Sequence, residues 1–188
     1  MEQWARALAY RMKDGDRDAF DELVTYFYPE LLRMAYLISG SHTDSEDIVQ
    51  ETFVLCWVNR RKLKEPEYLA SWLYKTLTRE AWRVCRKNKR EQPAEDIYEN
   101  DPPKGRSVMD EVLDRCRQQE LYRAIEGLPV KQRTALVLYY YNDMSAREIA
   151  QVMGCLEGTV KSRLFTARKK LKESLVKEKQ FEEKEAVL

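Results

Sequence analysis

Histidine is nearly absent from this 188-residue sequence, with His42 standing alone. Four cysteines, Cys56, Cys85, Cys116 and Cys155, lie 29, 31 and 39 residues apart and form no CxxC pair. That scarcity argues against a Cys/His zinc site and a His-based triad, and the thiols read as small buried hydrophobes. No GxGxxG or P-loop run offers a phosphate cradle, so no cofactor is expected. No run of 18 apolar residues spans a bilayer, and MEQWARALAYRMKDGD lacks the apolar core and cleavage site of a secretory signal. The expectation is a soluble, cytoplasmic chain. Carboxylates do cluster at Asp44, Glu46, Asp47 and Glu51, but a metal site there would lack imidazole and open-loop ligands. Neither a metal, a catalytic residue nor a small-molecule substrate is expected.

What is present is charge, arranged in blocks. The net charge is only +1, from 33 Lys and Arg against 32 Asp and Glu. Residues 41–58 hold four acidic and no basic groups, whereas residues 60–90 hold 11 basic against 3 acidic. Residues 91–120 hold 9 acidic against 4 basic, and residues 157–179 hold 8 basic against 3 acidic. Two basic blocks separated by acidic stretches suggest two sites for one polyanion, although each block also suits a solvated helix face.

Only six glycines and six prolines punctuate a chain rich in Leu, Ala, Glu, Lys and Arg, which favours helix. Three of those prolines, one glycine and five acidic residues fall within residues 91–107, which therefore read as a flexible linker. Neither half shows convincing strand alternation. The expected fold is all-α: two small helical domains, residues 1–92 and 109–178, a linker at 93–108, and a charged tail at 179–188.

In the first half, helices are expected from Trp4 to Lys13 and from Asp18 onward, with Pro29 marking a bend or a new first turn and Ser39-Gly40-Ser41 closing the segment. Thr43 with Glu46 predicts a capping box for the next helix. On it Ile48, Val49, Thr52, Leu55 and Cys56 form the core face. Phe53, Trp57, Gln50 and Glu46 gather elsewhere, flanked by Asp47, Val54 and Glu51. That face suits an interface with a partner, or a central helix buried on both sides. Residues 60–71 form a basic loop in which Pro66 can start a helix reaching about Lys89. Its inward residues Leu73, Leu77, Ala81 and Val84 fall within about 80° of one another. Lys75, Arg79, Arg83 and Arg86 fall opposite, with Trp72 beside them. A row of cations suits phosphates along a strand, and an adjacent aromatic can stack on an unpaired base. Trp72 and Trp82 also suit core positions.

In the second half, residues 109–126 and Val130 through Tyr141 read as helices, and Asn142-Asp143-Met144 as a turn. Ser145 and Glu148 predict a capping box, Met153-Gly154-Cys155-Leu156 a tight turn, and Glu157 the start of a last helix reaching about Lys177. This is the helix-turn-helix pattern. Val160, Leu164, Ala167 and Leu171 face inward. Thr159, Ser162, Thr166 and Lys169 lie opposite, with Lys161, Arg163, Phe165 and Lys170 flanking, a mixture suited to the major groove.

At this point the residues resemble a known family, the extracytoplasmic-function sigma factors of bacterial RNA polymerase. DSEDIVQETF resembles the segment by which that family grips the polymerase clamp, and SWLYKTLTREAWRVCRK resembles its −10-opening helix. LPVKQRTALVLYYYNDMSAREIAQVMGCLEGTVKSRLFTARKKLKE is similar to its −35-reading domain. The resemblance implies that Asp44, Glu46, Asp47, Gln50, Glu51, Phe53 and Trp57 meet core RNA polymerase. It implies −10 contacts from Arg60, Arg61, Lys62, Trp72, Lys75, Arg79, Arg83 and Arg86. It implies −35 contacts from Thr159, Lys161, Ser162, Arg163, Thr166 and Lys169. Promoter DNA is then the polyanion, and an anti-sigma factor, frequently membrane-bound in the family, is an expected partner. The sequence departs from the family where Arg79 replaces a common Asn, Arg83 a common Asp and Thr166 a usual basic residue, so promoter preference is expected to differ. The competing expectation is a helix-turn-helix regulator that never joins polymerase, for which the acidic-aromatic face of residues 46–57 would have no use beyond dimerisation.

Overall fold

The computed structural model describes residues 3–63, 65, 68–91 and 120–185. The expected linker at 93–108, Pro66, Cys116 and the start of the helix expected from residue 109 lie outside them. Among the described residues the chain is all helical: α1 (Gln3–Lys13), α2 (Arg17–Ser39), α3 (His42–Asn59), a 3-10 turn (Arg60–Lys62) and α4 (Leu69–Glu91). After the undescribed stretch come α5 (residues 120–126), α6 (Val130–Tyr140), α7 (Ala146–Met153) and α8 (Glu157–Glu185). None of these helices is long and apolar enough to cross a membrane.

Local chemistry sets most of the helix ends. Asp16 caps α2 by accepting from Ala19 N at 3.1 Å, and Arg11 Nη2 sits 2.7 Å from the same carboxylate. These contacts hold the Asp16 carboxyl below its usual range. Gly40 ends α2 at φ +81°, and Glu126 Oε1 lies 2.7 Å from where a Cβ would stand. The left-handed turn is what favours glycine there, since the tip of the Glu126 side chain can move aside.

Two local expectations are corrected. Pro29 does not start a new helix; α2 runs through it as one helix of 23 residues. An interior proline costs about 3 kcal/mol. Buried Leu23, Phe27, Leu31, Met34 and Ile38 straddle it, each stabilising by about 1.5–3 kcal/mol, and offset that loss. The cap of α3 is Ser41, which accepts from Asp44 N at 3.2 Å, and not Thr43 with Glu46. The turn at Gly40 leaves Ser41 as the first extended residue, so the helix begins before Thr43 is reached. The last helix also continues past Lys177 to Glu185.

α2 is the spine, packed against α1, α3, α4 and α6. One buried cluster runs from Leu8 and Met12 through Ile48, Leu73 and Leu77 to Leu138, Ile149 and Val160, so both halves share a core. Burial pushes the Cys56 thiol, which lies 3.9 Å from Met12 Sδ, up to about 12. Polar contacts cross the join between the halves. Glu30 Oε1 accepts from Tyr74 Oη at 2.6 Å and from Asn142 Nδ2 at 2.7 Å. Trp82 Nε1 donates to Thr134 Oγ1 at 2.9 Å, while the Lys131 ammonium lies 5.7 Å from the Trp82 ring. This satisfies an indole N–H that the interior would otherwise strand.

Candidate polymerase and nucleic-acid interfaces

Three surfaces carry the residues singled out above. The first is the outer side of α3. Ile48, Val49, Thr52 and Cys56 are buried as expected, and Leu55 is half-buried. Phe53 is not part of the exposed face: it is only 8% exposed and meets Phe20 edge-on, with ring centroids 6.3 Å apart. Helical geometry puts it at the border of the core face, where α2 covers it. Trp57 is half-buried, 5.0 Å from the Phe20 ring on one side and 4.1 Å from the Arg60 guanidinium. Glu46, Asp47 and Gln50 are exposed, and Glu51 is half-buried. Asp44 accepts from Asn88 Nδ2 at 2.7 Å, tying the start of α3 to the end of α4. Val54 and Val58 complete the face, 55% and 66% exposed. Sequence reading gave Val54 a flanking role and missed Val58; the signal was valine at positions that share the helical side of Asp47 and Glu51.

The second surface lies on α4 and the turn before it. Leu73, Leu77 and Ala81 face inward and are fully buried, with Val84 half-buried. Arg79, Arg83 and Arg86 are exposed opposite them and Lys75 is half-buried. Arg83 Nε pairs with Glu80 Oε2 at 2.7 Å, and Arg86 Nε donates to the Trp82 carbonyl at 3.2 Å. Arg61 and Lys62 are exposed on the 3-10 turn, but Arg60 is turned back, donating from Nη1 to the Trp57 carbonyl at 2.8 Å. Trp72 is half-buried against the core, and Trp82 is engaged by α6. An aromatic that sequence reading overlooked, Tyr68, stands 60% exposed between the turn and α4.

The third surface is the helix-turn-helix. Ser145 and Glu148 form the expected capping box, with Ser145 N donating to Glu148 Oε2 at 2.9 Å and Glu148 N to Ser145 Oγ at 3.3 Å. These bonds hold the Glu148 carboxyl below its usual range. Gly154 makes the turn at φ +62°. Val160, Leu164 and Ala167 are buried and seat α8 on α6 and α7. Lys161, Ser162 and Lys169 are exposed, and Thr159, Arg163 and Thr166 are half-buried. Lys161 Nζ lies 2.7 Å from Glu157 Oε1, and Lys169 Nζ 3.9 Å from Glu173 Oε1. Arg163 Nη1 reaches Cys155 Sγ at 3.4 Å, and Thr166 Oγ1 donates to the Ser162 carbonyl at 2.9 Å. Phe165 and Leu156 are the most open large apolar side chains here, 72% and 79% exposed. Among the described residues no group of His, Cys, Asp or Glu is placed to hold a metal ion.

Comparison with known proteins places these surfaces in context. Residues 23–91 match the family description Sigma-70 region 2, and residues 118–171 match Sigma-70, region 4. The chain is 30% identical over 155 residues to the RNA polymerase sigma factor SigV of Bacillus subtilis, covering 82% of this chain and 90% of that one. It is 31% identical over 163 residues to the ECF RNA polymerase sigma factor SigM of Mycobacterium tuberculosis, covering 84% and 77%. Among solved structures it is similar to the sigma factor RpoE of Bartonella quintana, determined in complex with the anti-sigma factor NepR. That match has 27% identity and a TM-score of 0.68, and covers 83% of this chain and 96% of that one.

Proposed function

This chain belongs to the extracytoplasmic-function group of the sigma-70 family, and from that premise we propose how its surfaces divide the work of a sigma factor. The protein is a transcription initiation factor that directs RNA polymerase to promoters, and the family is not enzymatic. Bond-making belongs to the polymerase core. Residues 1–92 serve as the polymerase-binding and promoter-melting domain and residues 109–178 as the −35-reading domain.

The outer side of α3 is the polymerase surface. Glu46, Asp47, Gln50 and Glu51 supply charge and hydrogen bonds, Val54, Val58 and the edge of Trp57 supply apolar anchors, and Asp44 and Phe53 hold the helix from beneath. The stripe of Lys75, Arg79, Arg83 and Arg86, with Arg61 and Lys62, tracks the −10 strand through its phosphates. Arg60 and Trp72 support that surface from positions against the protein. On α8, Lys161, Ser162 and Lys169 meet the −35 groove directly, with Thr159, Arg163 and Thr166 at its edges. An anti-sigma partner, of the kind bound to the Bartonella protein, fits surfaces that must be covered when the factor is idle.

The observation that carries this reading is the coexistence of an acidic-apolar helix face with two basic DNA-suited faces on one chain. A regulator acting by its helix-turn-helix alone needs only one of the three. Transcription with purified bacterial core polymerase, this protein and a promoter pool tests it. Protein-dependent transcripts sharing a −35/−10 pair are expected, and Gln50→Ala combined with Val58→Asp is expected to abolish them while −35 DNA binding persists. Failure to bind core at all would transfer the protein to the regulator class.

A further inference from the structure

The tip of α8 carries an acid. Glu157 is the first residue of the helix. The Leu156 carbonyl before it accepts from Thr159 N at 2.9 Å and Val160 N at 3.2 Å, which fixes where the helix starts. Beside it Gly158 is open, with nothing within 4 Å of where a Cβ would stand, so the tip is narrow and unobstructed. One turn along, Lys161 Nζ lies 2.7 Å from Glu157 Oε1 and keeps both side chains on the exposed side. Lys161 holds the Glu157 carboxyl below its usual range, with a smaller contribution from Arg147. The group is therefore an acceptor only.

In a helix-turn-helix the first residues of the second helix reach base edges. A carboxylate there is repelled by the phosphates and by the acceptor atoms of guanine and thymine. Among the bases it gains a partner only where one presents an amino donor, which cytosine does with its N4 group unaccompanied by an acceptor. We propose that Glu157 is a specificity-determining residue of −35 recognition: its carboxylate accepts from the N4 amino group of one cytosine, and Lys161, already paired to it, donates to the neighbouring guanine edge. This rests on α8 being the −35-reading helix.

The test uses the full-length protein with core polymerase and a promoter library randomised across the −35 element, with transcripts sequenced. The wild type is expected to prefer cytosine at one position by on the order of 10-fold. Glu157→Ala should flatten that position to within about 2-fold and leave the other preferences standing. Glu157→Gln, whose amide pairs with adenine, should move the preference toward adenine. Transcripts whose base preferences are unchanged in both variants, whatever their total yield, would overturn the inference while leaving the sigma reading intact. No polymerase-dependent transcript from any wild-type reaction would overturn both. Thermal melting of the two variants accompanies the assay, and cytosine preference lost in a variant that melts like the wild type separates base reading from damage to the helix.

Discussion

The two basic helices present different surfaces, and their packing explains the difference. α4 is enclosed by α2, α3, α6 and α7, so its apolar side, both tryptophans and part of its flanks belong to the protein. What remains is chiefly a row of cations, with Glu80 paired to Arg83 beside it. α8 is seated on one seam of Val160, Leu164 and Ala167 and shows solvent a mixed face of hydroxyls, cations, an acid and Phe165. Phosphates repeat identically along any sequence, so a uniform cation row binds without choosing. Base edges differ in donors, acceptors and methyl groups, so choosing requires a mixed face.

The sharpest way to break this contrast is to attack the shared core. Leu77→Ala, at a fully buried position on α4, should cost about 2–5 kcal/mol, read by urea unfolding. Trp4, Trp57, Trp72 and Trp82 all lie in the first half, and in a Trp82→Phe background, which removes the indole bonded to Thr134, indole fluorescence follows that half. Leu164→Ala, a buried truncation in the second half, should move the same fluorescence transition if the continuous core makes both halves unfold together. A fluorescence midpoint untouched by Leu164→Ala would show that the halves unfold separately.

Next in size are the DNA contacts themselves. Replacing Arg79, Arg83 and Arg86 together by Ala should weaken binding to melted −10 strand for every sequence alike. The salt slope should shallow by about 0.7 per lost phosphate contact on single-stranded DNA. Phe165→Ala should leave the salt slope unchanged and weaken discrimination at one base pair, as expected of a ring that packs on a thymine methyl. If the two variants behaved alike, the division between a binding helix and a reading helix would fail.

A smaller effect tests the join. Trp82→Phe removes the N–H that Thr134 Oγ1 accepts and should cost about 1 kcal/mol in urea unfolding. Smallest is the cap of α7. Ser145→Ala should cost about 1 kcal/mol at neutral pH. Glu148 has a carboxyl held below its ordinary 4.5 by the bonds from Ser145, so its contribution is complete above that value and is lost as pH falls through the lower, folded-state value. The gap between Ser145→Ala and wild type should therefore narrow in acid, which unfolding curves at neutral and acidic pH would reveal.

Much of this was legible in the amino-acid sequence. Apolar spacing placed Leu73, Leu77 and Ala81 inside α4 and Val160, Leu164 and Ala167 inside α8, because a helix with one buried side must repeat about every 3.6 residues. Ser145, Glu148 and Gly154 marked the helix-turn-helix, because caps and left-handed turns depend on residues only a few positions apart. Charge blocks located the two basic surfaces for the same reason: they are properties of neighbouring residues. Tertiary structure alone decided the rest. Whether Phe53 faces solvent depends on Phe20 arriving from α2, and whether Trp82 could stack on a base depends on Thr134 arriving from α6. Pro29 stays helical because packing on both sides of it outweighs its local preference, and Arg60 leaves the basic surface because the Trp57 ring holds it. Each of these turns on a partner in space, or on a balance between local and distant energies, that no periodicity along the chain records.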